Sequence, residues 1–284
     1  MVVAILLVAA VGWADDHRGL SARTRLIAHF AAAIVLALPL LSPTAHIGDA
    51  GIHMAVFFGL CAFVVIACAW SINLHNFMDG INGLLALQAI FVFCAMAWCD
   101  REGFGASRTT MLILWAAATA GFVPFNFPRA RIFMGDVGSG VLGLLVGAAV
   151  IWQATTHASA LATGVIACSA FVTDATCTLL SRMLRGRRWY SAHREHLYQW
   201  LVRSGLSHAK VVALYMAWNL CIAAPVLYWV NRNGRALDAS GVMATSMDVG
   251  VAPAVAIYAL AVVAWFAGKR WCLKKIQNAI TQPE

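Results

Sequence analysis

Four short polar segments interrupt an otherwise apolar chain, and each carries residues able to handle a phosphate or a hard cation. They read WADDHRGL (13–20), NLHNFMDGINGL (73–84), IFMGDVGSGVLG (132–143) and HREHLYQ (193–199), and they hold five of the twelve acidic residues in 284. An ionisable group near a bilayer is expensive, so each island invites a functional reading. Asp15 and Asp16 are adjacent carboxylates that could bind Mg²⁺, accept a proton or hold a basic partner. Neighbours on a helix do not share a face, so at most one points squarely into a given site. The plainer reading is a hydrated helix end. Asn73, Asn76 and Asp79 recur at intervals of three, which on a helical turn puts amide oxygens and a carboxylate on one face. That set suits a hard cation or a sugar or nucleotide, the plainer alternative being a helix cap. Asp136 lies among glycines directly before an apolar run. A helix starting there presents free N–H groups and a positive dipole to phosphate, and the acid beside it suggests a bridging metal. His193 and His196 flank Arg194 and Glu195. Imidazole and guanidinium bind phosphate oxygens well, whereas zinc would need a third ligand, and none stands close in sequence.

The elements that must position these residues are membrane helices. Hydrophobic residues make up 62% of the chain and charged ones 11%, with a mean hydropathy of +0.77; a soluble domain carries about 25% charged residues. Apolar runs fall near 24–41, 52–72, 81–98, 109–126, 139–156, 158–180, 208–230 and 249–268. Each approaches the roughly 17–25 residues a spanning helix needs, and the runs are continuous rather than alternating. With residues 1–14 as a further helix, the fold class is all-α and polytopic, with about nine spans in one integral membrane domain over 1–284. The first run is short of the bilayer core, and the sequence reads as the tail of a span whose beginning lies upstream.

Lysine and arginine set the orientation. With Asp15 in the cytoplasm and the sides alternating, only Arg101, Arg108, Arg232 and Arg235 of the 20 Lys and Arg fall outside. This is a strong positive-inside bias. It places all four islands on the cytoplasmic face, as one polar site. The net charge of +8 is mostly this topology signal and does not point to nucleic acid. Arg182, Arg185, Arg187 and Arg188 read as lipid head-group anchors, and Asp174, inside a span, as a local partner of Thr173, Thr178 or an interfacial arginine. The eight cysteines form no CxxC pair and read as buried thiols, and 231–248 reads as a plain outer loop.

In this order the islands resemble the polyprenyl-phosphate N-acetylhexosamine-1-phosphate transferases, the glycosyltransferase family 4 relatives of phospho-MurNAc-pentapeptide translocase. The family's motifs are an Asp-Asp pair, Asn-x-x-Asn-x-x-Asp-Gly, Phe-Met-Gly-Asp-x-Gly-Ser and a His-rich cytoplasmic loop. NFMDGINGL with HREHLYQ looks most like the branch that initiates O-antigen or capsule chains. The resemblance implies transfer of an N-acetylhexosamine-1-phosphate from a UDP-sugar to undecaprenyl phosphate, with release of UMP and use of Mg²⁺. It also implies a multi-pass protein of the bacterial inner membrane, with a cytoplasmic active site and a homodimeric assembly. By motif position it makes Asp136 the metal acid, and Asp15, Asp16 and Asp79 catalytic. Asn73, Asn76, His193, Arg194 and His196 become substrate contacts. Glu195 stands where the family has a middle histidine, and Asn82 where many relatives have a second aspartate. Two rivals remain at this point, a secondary transporter whose acids carry protons or cations, and an inactive truncated transferase.

Overall fold

The acid-bearing segments sit at helix ends because the apolar runs between them form helices of nearly the expected extent. The computed structural model describes residues 1–41, 52–100, 106–154, 158–188, 193–239 and 245–281, with no strand among them. The chain divides into two compact units, Met1–Asp79 with Met134–Trp152, and Gly80–Phe133 with Gln153–Glu284.

The first unit holds α1 (Val2–Arg18), α2 (Ala22–Leu41), α3 (Ile52–Met78) and α6 (Gly135–Ala154). Its core is built of small side chains, including Ala4, Ala32, Ala33, Cys68, Ala69 and Ala148, filled out by Val8, Leu36, Ile72 and Leu144. Lipid is as apolar as leucine, so such helices associate through close backbone approach. Gly143 on α6 shows this: a Cβ there would lie 2.8 Å from the Ile72 Cα and the Ser71 carbonyl of α3. The Ser71 hydroxyl donates to the Gly143 carbonyl across that contact, at 2.7 Å.

The second unit holds α4 (Leu84–Asp100), α5 (Ala106–Asn126), α7 (Ala158–Ala167), α8 (Ser169–Leu184), α9 (Leu197–Arg203), α10 (His208–Trp218), α11 (Ala224–Ala239) and α12 (Thr245–Thr281). The run expected as one helix over 158–180 is broken at Cys168, and its halves bend by 69°. Side chains of other helices take over the polar groups at the break. Gln88 donates to the Ala167 carbonyl at 3.1 Å, Asn219 donates to Gln88 at 2.7 Å, and the Trp218 indole donates to the Ser169 hydroxyl at 3.1 Å. Insertion of side chains into the helical ladder is a recognised cause of a sharp kink. Asn219 itself opens a π-helical turn, Asn219–Ala223, that joins α10 to α11. The stretch read as an outer loop differs from expectation: 231–239 continue α11, 245–248 begin α12, and 240–244 lie outside the described residues.

Apolar side chains also cover the outer faces, among them Ile27, Leu38, Phe63, Ile66, Val255 and Val263. That is the pattern of a helical membrane protein, whose outside must match lipid. Among the described residues five helices are long and apolar enough to cross a bilayer, or six with the bent pair. Helices α1 and α4 have 17 residues each, which at about 1.5 Å per residue reach roughly 25 Å against a core of about 30 Å. Helix α2 carries Arg23 and Arg25 at its start, which shortens its apolar stretch.

Candidate active site

Asp15 and Asp16 lie in the last turn of α1, where the helix dipole disfavours a negative charge. Each is compensated by a different partner. The Asp15 Oδ1 accepts the Leu20 amide at 2.5 Å, and its Oδ2 accepts Arg25 Nη1 of α2 at 2.7 Å. The Asp16 carboxylate turns to the start of α6, where both oxygens accept the Asp136 amide at 3.1 Å. It thus caps from outside a helix whose free N–H groups favour an anion. Two glycines permit this junction. A Cβ on Gly12 would lie 2.6 Å from the Asp136 carbonyl carbon and the Val137 nitrogen. Gly135 has φ +64°, and a Cβ there would lie 2.7 Å from the Asp16 Oδ2. The adjacent pair therefore splits, as the helical geometry requires, into one acid facing α2 and one fastening α6.

Asp136 is the meeting point. Its carboxyl hydrogen-bonds that of Asp15, receives a hydrogen bond from the Asn76 side chain, and stands 3.5 Å from Arg25 Nη1. Asp79 follows the last turn of α3, its amide bonded to the Asn76 carbonyl at 3.2 Å. Burial, with the charges of Asp136 and Asp16, pushes the Asp79 carboxyl up to about 7. Burial also opposes ionisation of Asp15, but its bonds from Asp136, the Leu20 amide and Arg25 outweigh this and hold it below the usual range. Asn73 is engaged elsewhere: its amide donates to the Ala69 carbonyl at 2.7 Å, and its oxygen pairs with His29 of α2 at 3.2 Å. Of the three residues on the α3 face, Asn76 and Asp79 reach the acids and Asn73 braces α2.

Two carboxylates, Asp15 and Asp136, thus meet one guanidinium, with Asp16 bonded to the Asp136 amide and Asp79 within reach of the charges of Asp136 and Asp16. Among the described residues no three His, Cys, Asp or Glu side chains converge into a ready metal cage. Mg²⁺ needs none, since one or two carboxylates with waters and substrate phosphates hold it. An all-oxygen donor set fits such an ion, and burial, followed by the charges of Asp136 and Asp16, raises Asp79 to about 7. A thermal-stability measurement in metal-free buffer checks the raised Asp79 carboxyl. A carboxyl raised from 3.8 to about 7 binds its proton more readily folded than unfolded. The stabilisation is present below about pH 4 and is lost as pH rises through 7. Asp79→Asn mimics the protonated form and is expected to match wild type below pH 4. Above pH 7 it is expected to be the more stable, by on the order of 4 kcal/mol. Equal pH dependence in both proteins would show that the Asp79 carboxyl is not raised in the folded protein.

The fourth island belongs to the second unit. His196 caps α9, its amide bonded to the Gln199 side chain at 3.1 Å. The rings of His193 and His196 lie 4.9 Å apart. Burial, His196 and Arg182 push His193 down to about 4, and burial lowers His196 as well, so both imidazoles are neutral at pH 7. Glu195 is paired with Arg182 of α8 and with Arg187, the latter at 3.0 Å. Arg182 also donates to the Arg188 carbonyl at 2.8 Å. These two arginines, expected as lipid anchors, instead fasten the histidine segment; Arg194 is exposed.

The glycosyl transferase family 4 model matches residues 1–154, which span all four clustered aspartates and end before His193. The chain belongs to glycosyl transferase family 4. Its sequence is 28% identical to the decaprenyl-phosphate N-acetylglucosaminephosphotransferase of Mycobacterium leprae (strain TN), over 87% of this chain and 69% of that protein. It is 26% identical to the undecaprenyl-phosphate alpha-N-acetylglucosaminyl 1-phosphate transferase of Salmonella typhi, over 78% of this chain and 61% of that one. It is 28% identical to the phospho-N-acetylmuramoyl-pentapeptide-transferase of Symbiobacterium thermophilum, over 82% and 74%. The chain therefore spans about two thirds of the length of these relatives. The resemblance to polyprenyl-phosphate N-acetylhexosamine-1-phosphate transferases holds.

Both departures from the family 4 pattern have partners of their own. The Asn82 amide donates to the Pro128 carbonyl at 3.2 Å, a bond that an ionised aspartate could not make. Glu195 supplies the acid that Arg182 and Arg187 bind. Sequence reasoning missed Arg25, and for Asp174 it found the local Thr178 partner but not the bonds from α9, α10 and α12. The signal for Arg25 was a charge near the start of an apolar run, ten positions beyond Asp15. For Asp174 it was an acid inside a span.

Proposed function

We propose that this family 4 protein transfers an N-acetylhexosamine-1-phosphate from a UDP-sugar to undecaprenyl phosphate, releasing UMP, at the cytoplasmic face of a bacterial inner membrane. The observation that carries this reading is the convergence of Asp15, Asp16, Asp79 and Asp136 at the start of α6. The names of the relatives favour a polyprenyl phosphate acceptor, and several favour N-acetylglucosamine as the sugar. The reaction brings together a diphosphate and a phosphate, so positioning and electrostatics carry most of the catalysis. A bound Mg²⁺, held by Asp136, would supply charge neutralisation on the diphosphate. Asp16 keeps Asp136 in place through its amide, and Asn76 orients the Asp136 carboxylate. Arg25, held by Asp15, is a fixed cation beside the acids that can meet an incoming phosphate. The lipid phosphate is largely dianionic at neutral pH, its second pKa being near 6, so no strong base is required. Its oxygen attacks the β-phosphorus directly. One P–O bond forms, the bridging P–O bond breaks, and UMP leaves with the electron pair. His193 and His196, neutral at pH 7, would contact phosphate by donating N–H groups rather than as cations. The product would initiate O-antigen or another cell-envelope polysaccharide.

A panel of labelled UDP-sugars, supplied to membranes with undecaprenyl phosphate and Mg²⁺, tests this reading. Label is expected in an organic-soluble lipid. Uptake of label into sealed vesicles without lipid product would favour a transporter. Topology is checked separately. Single cysteines near Asp79, Asp136 and His193, in a background without the native cysteines, are expected to react only from the cytoplasmic side. Labelling of any of the three from outside intact cells would break the shared-face assignment.

A further inference from the structure

Asp174 lies in α8, inside the bent span and 2% exposed. A buried carboxylate there is costly unless it is fully hydrogen-bonded. Its Oδ1 accepts the Leu197 amide at 2.7 Å, the Trp265 indole at 3.1 Å and the Thr178 hydroxyl at 3.3 Å. Its Oδ2 accepts the Tyr215 hydroxyl at 2.6 Å and the Tyr198 amide at 3.3 Å. His196 Nδ1 stands 3.9 Å from Oδ1. Four helices, α8, α9, α10 and α12, therefore meet at one carboxylate.

Two of the five donors distinguish this acid from one that merely satisfies a core. They are the first two amides of α9, groups that a helix leaves without internal partners. They directly follow His196. Two turns along the same α8, Arg182 binds Glu195. The histidine segment is thus fastened to α8 from within, at Glu195, and at its C-terminal flank, at Leu197 and Tyr198. The amides at 197 and 198 give Asp174 control over where the His196 ring sits, although Asp174 need touch no substrate.

We infer that Asp174 is a positioning residue of the transferase. It sets the place of the His193–His196 segment and, through it, the grip on the sugar nucleotide; this second part rests on the transferase reading. Hydrogen exchange and kinetics on the full chain in nanodiscs, with UDP-GlcNAc and undecaprenyl phosphate, test it. In Asp174→Asn the amide nitrogen replaces one accepting oxygen. Exchange at Leu197 and Tyr198 is expected to accelerate about tenfold or more, the scale of losing a hydrogen bond to a charged group. Exchange at Val211 and Val212 in α10 is expected to stay unchanged. The KM for UDP-GlcNAc is expected to rise about tenfold, while that for undecaprenyl phosphate does not move. If Asp174→Asn fails to insert, Tyr215→Phe, which removes one bond to the same carboxylate, is expected to act in the same direction by about threefold. Unchanged exchange at 197 and 198 overturns the anchoring. Faster exchange with unaltered kinetics, or both KM values rising together, overturns the positioning role. A wild-type protein that transfers nothing overturns the transferase reading instead, and the exchange measurement still decides the anchoring.

Discussion

Asp136→Asn is expected to lower transfer by at least 1000-fold, the scale of losing a principal electrostatic contact in a phosphoryl-transfer site, while the protein inserts and folds as before. Asparagine keeps the backbone amide that Asp16 holds, and it fits the same space. What it removes is the charge at the point where Asp15, Asn76 and Arg25 meet. Removing that charge also relieves one of the two acids that crowd Asp79. The variant should therefore be at least as stable as wild type while nearly inactive. Stability compared by thermal unfolding and turnover measured at saturating Mg²⁺ check the two halves separately. Turnover near that of wild type would remove Asp136 from the metal assignment.

Gly12→Val is expected to cost about 100-fold or more in transfer through a residue that bears no reactive group. A Cβ at position 12 would lie 2.6 Å from the Asp136 carbonyl and the Val137 nitrogen. Those are backbone atoms, which cannot swing aside as a side chain does, so α1 and α6 must separate. The separation stretches the bonds from Asp16 to the Asp136 amide, 3.1 Å long in the native protein. Misplacement of reacting groups by about 1 Å can cost roughly 100-fold in rate. Gly121→Ala is the control, since a Cβ there meets nothing within 4 Å. Its transfer is expected to equal that of wild type. If Gly12→Val also transfers normally, the α1–α6 contact does not position the site.

The helices and the acids were legible in the sequence for a shared reason: polar residues in an apolar chain are rare and stand out. The eight apolar runs located the helical segments, and the four islands located the acids. The periodicity of Asn73, Asn76 and Asp79 placed Asn76 and Asp79 near Asp136, but it could not show that His29 on another helix claims Asn73. The break at Cys168 was invisible because the residues around it, 165–172, are apolar but for Ser169 and include no proline or glycine. Its cause lies in Gln88 and Asn219, distant in sequence. Arg25, Arg182 and Arg187 were hidden by a rule that explains arginines collectively. Charge bias states on which side a cation lies, not which carboxylate it binds. The neutrality of His193 was equally out of reach, because it follows from burial beside His196 and Arg182 rather than from residue type.

One measurement tests the central claim most directly. Purified protein in nanodiscs receives undecaprenyl phosphate, Mg²⁺ and UDP-GlcNAc labelled at the β-phosphate. The expected result is label in the lipid with UMP released in equal amount, stopping when the metal is chelated and nearly absent in Asp136→Asn. Label that stays in the nucleotide, or that leaves as free sugar phosphate or inorganic phosphate, would contradict the assignment of this acid cluster to polyprenyl-phosphate sugar-1-phosphate transfer.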